Sequence, residues 1–199
     1  MWLKICGVTN EAAVAAALEA GVDAIGFVFA PSVREITPAR AAALAAPARG
    51  RVELIAVTLH PEQARVEEIL SVFRPDVLQT DAADFEQLQL PASLLRLPVL
   101  RVAAADVAGI QPQRVLFEGP RSGSGQPGDW VQAARLAAAR PVVLAGGLCA
   151  DNVAAAIRQV RPFGVDASSG VESSPGIKSP ERIRQFVNAA RAAFHEINA

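Results

Sequence analysis

Short apolar runs alternate with longer one-faced stretches from one end of the chain to the other. The runs at residues 3–6, 24–29, 52–59, 77–79, 97–103, 114–118, 141–145 and 163–167 read as strands. Most are continuously apolar, as expected for parallel strands covered on both faces. Between them the period changes to that of a helix. Val66, Ile69, Leu70 and Phe73 stand at i, i+3, i+4 and i+7, and Ile183, Phe186, Val187, Ala190 and Phe194 make a second stripe. Helix starts are marked as well. Thr9 or Asn10 caps a helix beginning at Glu11, and Pro38 opens an alanine-rich one. Another begins near Asp129 and Trp130, and Asp151 or Asn152 opens one carrying Val153, Ile157 and Val160 on one face. Ser179 caps the last, with Pro180 in its first turn. The pattern weakens in three places: a poor helix at 84–90, a segment at 104–112 too short for a good one, and a glycine-rich loop at 119–128.

Eight strands alternating with helices predict an α/β chain with a parallel sheet. Right-handed crossovers permit an open sheet or a closed one. Eight near-even units favour a (β/α)8 TIM barrel with a shortened fifth helix, a single domain over residues 1–199.

Composition narrows the function classes. Net charge is −1, so no field of either sign recruits nucleic acid or an anionic membrane. No apolar run approaches the roughly 18 residues of a membrane span, and the amino terminus lacks a signal-peptide pattern. Two cysteines, Cys6 and Cys149, make no disulfide framework, and free thiols fit a cytoplasmic enzyme. Lys4 and Lys178 are the only lysines. His60 and His195 stand isolated, and no metal site is expected.

In a barrel the reactive groups lie at the carboxyl ends of the strands. That rule selects Cys6, Arg34, Gln79, Asp81, Glu118, Gly146, Gly147, Asp166 and Ser168. Alternation sends Lys4 and Cys6 to the same side of the first strand. A buried Lys4 needs a counter-charge, and Asp166 on the adjoining eighth strand is the candidate. The turns at Gly146-Gly147 and Ser168-Ser169-Gly170 follow the last two strands, where backbone N–H groups can hold a phosphate. Glu118, beside the glycine-rich run, can serve as a general acid, and Arg34 can grip a carboxylate through two parallel hydrogen bonds. Plain alternatives exist for each: a buried apolar thiol, a solvated glutamate, an exposed loop arginine, ordinary tight turns.

The stretches Lys4-Ile-Cys-Gly-Val-Thr-Asn10, Gly26-Phe-Val-Phe29 with Ser32-Val-Arg34, Gly123-Ser-Gly125 with Asp129-Trp130, and Val165-Asp-Ala-Ser-Ser-Gly-Val-Glu172 together resemble phosphoribosylanthranilate isomerase. The resemblance implies a TIM barrel that performs a cofactor-free Amadori rearrangement in tryptophan biosynthesis. It implies Cys6 as general base at the sugar C2′ and Glu118, where the family carries aspartate, as general acid. Arg34 would hold the anthranilate carboxylate, Gln79 and Asp166 would touch substrate, and Gly146, Gly147, Ser168, Ser169 and Gly170 would bind its phosphate. The family's Gln-Leu-His-Gly after strand four is replaced here by Gln79-Thr80-Asp81-Ala82. Two other readings stay open: a diverged sugar-phosphate isomerase or epimerase, and a non-catalytic barrel that binds a phosphorylated metabolite. The expected partner is a small phosphorylated substrate, on a monomer or homodimer.

Overall fold

In the computed structural model, strand β1 (Leu3–Cys6) pairs in parallel with β2 (Ala24–Val28) on one side and with β8 (Gly164–Ala167) on the other. The sheet therefore closes on itself. Between them run β3 (Glu53–Val57), β4 (Val77–Asp81), β5 (Leu95–Leu100), β6 (Val115–Phe117) and β7 (Val142–Leu144), each paired in parallel with the next. The structure describes residues 1–101, 114–119 and 129–198. The shortened helix expected at 104–112 lies outside the described residues, as does the glycine-rich run beyond Gly119.

Helices α1 (Glu11–Ala20), α2 (Pro38–Ala45), α3 (Gln63–Val72), α4 (Trp130–Ala137), α5 (Val153–Val160) and α6 (Pro180–Asn198) pack around this barrel. Their starts follow the sequence signals. Asn10 accepts from the Ala13 N–H at 2.9 Å, Thr37 from Arg40 and Asp129 from Val131 and Gln132. The weak helix expected at 84–90 is instead a 3-10 segment at Ala82–Glu86, with Phe85 buried beneath it. Strand ends differ by a few residues: β4 runs two beyond the expected Gln79, and β5 begins two before Leu97. An antiparallel hairpin, β9 (Glu172–Ser174) and β10 (Ile177–Lys178), follows β8.

Two apolar layers result. Outward residues such as Leu3, Ile25, Phe27 and Phe117 meet the helices, while Ile55, Val77, Leu97, Leu116 and Val143 fill the barrel interior. The inward positions differ around the barrel. On β1, β4 and β8 they include the polar Lys4, Cys6, Gln79, Asp81 and Asp166, whereas on β5, β6 and β7 they stay apolar through Val99, Leu116 and Val143.

Candidate active site

A cavity of about 420 Å³ opens at the carboxyl ends of the strands. Cys6, Arg34, Gln79, Glu118, Asp166, Gly146, Gly147, Ser168 and Ser169 all line it. Gly170 does not. A Cβ there would stand 2.0 Å from the Leu148 carbonyl oxygen, so this glycine lets the turn after β8 pack against the turn after β7.

The floor is polar and organised around one cation. Lys4, wholly buried, donates to Asp166 Oδ2 and to Gln79 Oε1, both at 2.8 Å. The register Lys4↔Asp166 across β1 and β8 makes the pair direct cross-strand neighbours. Gly26 makes room for it, because a Cβ at that position would lie 3.0 Å from both Lys4 Cε and Cys6 Sγ. Burial alone would push the Lys4 ammonium down, but Asp166 and Cys6 outweigh it and its pKa lies above the ordinary lysine value. Among the described residues, Asp166 Oδ1 is buried with no hydrogen-bond partner.

Cys6 is a buried free thiol. Burial pushes its pKa up. Lys4 pulls it back, Asp166 adds to the rise, and Lys178 lowers it, with the net direction upward.

Arg34 reaches back across the mouth to Glu172. Its Nε donates to Oε1 at 2.6 Å and its Nη2 to Oε2 at 2.9 Å. Burial raises the Glu172 carboxyl, but hydrogen bonds from Arg34 and Lys178 prevail and hold it at about 2. On the opposite rim, Arg101 donates to both oxygens of Asp81, at 2.8 and 3.3 Å, and its Nη1 lies 3.6 Å from Glu118 Oε2. Asp81 also lies 3.7 Å from His60 Nε2, whose ring is raised in pKa chiefly by its hydrogen bond to Asp84.

The two glycine turns are built as tight loops. Gly146 and Gly147 have φ of 95° and 63°, and Asn152 braces them by donating to the Gly147 carbonyl at 2.8 Å. Its Oδ1 accepts from the Cys149 N–H at 2.9 Å, so Asn152 ties the loop together at the start of α5. Ser169–Val171 forms a 3-10 turn after β8. Glu172, Lys178 and Arg101 were not among the expected site residues. Of these, Lys178 carried a signal, as one of two lysines in an arginine-rich chain.

Residues 3–189 match the family model described as N-(5′-phosphoribosyl)anthranilate (PRA) isomerase. The chain belongs to this isomerase family. It is 40% identical over 209 residues to the N-(5′-phosphoribosyl)anthranilate isomerase of Mesorhizobium japonicum, covering 96% of this chain and 95% of that one. The crystal structure of the phosphoribosylanthranilate isomerase from Thermus thermophilus superposes with a TM-score of 0.84 at 29% identity, over 96% of this chain and 99% of that one. A further solved isomerase carries reduced 1-(o-carboxyphenylamino)-1-deoxyribulose 5-phosphate; it superposes with a TM-score of 0.77 at 28% identity, over 96% and 99%. The closed eight-stranded barrel is thus the family's fold. Among the described residues no cluster of three or more His, Cys, Asp or Glu could hold a metal ion, and no helix is long and apolar enough to cross a membrane.

Proposed function

We infer that the chain converts N-(5′-phosphoribosyl)anthranilate to 1-(2-carboxyphenylamino)-1-deoxyribulose 5-phosphate by an Amadori rearrangement. The observation that carries this reading is the shared cavity of Cys6, Glu118, Arg34 and the two glycine turns, in a chain of the isomerase family. Glu118, as a carboxylic acid, protonates the furanose ring oxygen. The C1′–O bond breaks while the anthranilate nitrogen lone pair forms C1′=N⁺. Cys6, as thiolate, then takes the C2′ proton, and the released electron pair neutralises the iminium. The resulting enolamine tautomerises to the aminoketone. Protons are only relocated, so no oxidant or cofactor enters.

The two groups stand on β1 and just after β6, three strands apart round the barrel, which suits attack on opposite parts of one sugar. Lys4 and Lys178 supply the positive field that a buried thiolate needs. Gln79 and Asp166 would contact the sugar, Arg34 the ring carboxylate, and the turns at Gly146, Gly147, Ser168 and Ser169 the phosphate. Gly170 supports the last turn from behind.

Turnover of freshly made phosphoribosylanthranilate, followed as loss of anthranilate fluorescence, tests the reading. Cys6→Ala and Glu118→Ala should each lower kcat at least a hundredfold, consistent with the roughly 10²–10⁴-fold typical of acid–base groups, while circular dichroism stays native. A fully active Cys6→Ala enzyme would remove the base assignment.

A further inference from the structure

We propose that Glu172, held by Lys178, is a positioning residue that decides which edge of Arg34 meets the substrate carboxylate; this rests on the assignment of Arg34 made above. Glu172 and Lys178 do not line the cavity, whereas Arg34 and Ser168, which they hydrogen-bond, do.

A guanidinium has five N–H groups in a fixed plane. Glu172 takes the Nε–H and one Nη2–H as a two-point contact. The edge left over consists of both Nη1 hydrogens and the outer Nη2 hydrogen. That edge can still form two parallel hydrogen bonds with a planar carboxylate, and only in one orientation. The arginine stem has little freedom to find another. It crosses Gly7 so closely that a Cβ there would lie 2.5 Å from Arg34 Cδ.

Glu172 is itself fixed. Lys178 Nζ donates to its Oε1 at 2.6 Å across the β9–β10 register pair, and the Arg182 side chain donates to its backbone carbonyl. The same Lys178 Nζ donates to the Ser168 carbonyl and Oγ, at 3.1 and 3.2 Å. One ammonium group thereby fixes both the residue that aims Arg34 and the turn assigned to phosphate. The hairpin sets the distance between the carboxylate grip and the phosphate grip. A ligand carrying both anions at that separation is favoured over one carrying phosphate alone.

The test compares two ligands by calorimetry: reduced 1-(2-carboxyphenylamino)-1-deoxyribulose 5-phosphate and its anilino analogue lacking the ring carboxylate. Their affinity ratio reports the carboxylate grip alone. Glu172→Gln should reduce that ratio about tenfold, in keeping with losses of up to a hundredfold for misplacements near 1 Å, and change the anilino affinity less than twofold. Glu172→Asp keeps the buried charges balanced should the amide variant fold poorly, and its shorter arm should lower the ratio similarly. A wild-type ratio in Glu172→Asp, with the ratio lost in Arg34→Ala, overturns the tether and leaves Arg34 in place. Equal weakening of both ligands in Glu172→Asp also overturns it. A wild-type ratio in Arg34→Ala brings down the carboxylate assignment itself.

Discussion

Replacing Lys4 by methionine removes the central cation of the barrel floor and leaves Asp166 buried without its ion-pair partner. At 2.8 Å and an effective dielectric near 20, the Lys4–Asp166 attraction is about 6 kcal/mol. Desolvation of both groups offsets most of that gain, so the pair contributes little net stability as a whole. Removing one member is different, because the desolvated partner remains. Asp166 Oδ1 already lacks a hydrogen-bond partner among the described residues, and Lys4→Met strips Oδ2 of its 2.8 Å contact as well. The expected loss is about 3–5 kcal/mol. Lys4→Met/Asp166→Asn removes both charges and should recover at least about 2 kcal/mol of it. Urea unfolding of the wild type, both single variants and the double variant forms the complete cycle. Lys4→Met costing under about 1 kcal/mol, or a double variant whose loss equals the sum of the singles, would refute the buried-pair account.

Because burial holds the Cys6 thiol above its ordinary pKa, its alkylation by iodoacetamide in a Cys149→Ser background should be slow at neutral pH and rise roughly tenfold per unit from pH 7 to 9; a plateau below pH 8 would contradict the shift. Gly170→Ala drives a Cβ into the Leu148 carbonyl and should lose about 3 kcal/mol in urea unfolding, whereas Gly50→Ala, at φ 74° with open space around it, should lose only about 1 kcal/mol; equal losses would sink the close-approach explanation.

The barrel was legible because each strand and helix announces itself locally. Asn10, Thr37 and Asp129 do at the helix starts what short polar side chains do anywhere. Lys4 with Asp166 was also within reach, since closure makes β1 and β8 neighbours and alternation turns both residues inward. The partner of Arg34 was not. Glu172 lies 138 positions away, on a hairpin too short to produce a period, and its ion pair depends on a loop folding back over the mouth. The Asp81–Arg101–Glu118 bridge was hidden for a related reason. It joins the ends of three consecutive strands, and the length of each strand had first to be known to a single residue. Gly170 was named with its turn as phosphate-binding, and the packing role of its missing side chain was not legible. The space it leaves is filled by the chain's own backbone.

Both lysines of the chain end up buried, each against a carboxylate, and both act on the same sulfur. Paired charges in an interior are a poor source of stability, so this arrangement needs another reason. The field at Cys6 supplies one. Burial and Asp166 oppose a thiolate there, while Lys4 and Lys178 favour it, and the group proposed as the base is held between the two influences. Apolar residues of similar volume at positions 4 and 166 would satisfy the fold equally well but would remove the nearer cation from that balance. The Lys4→Met/Asp166→Asn barrel should therefore fold with most of its stability and turn over slowly. Stability and chemistry separate at the barrel floor because one is served by the charges cancelling and the other by where the positive one stands.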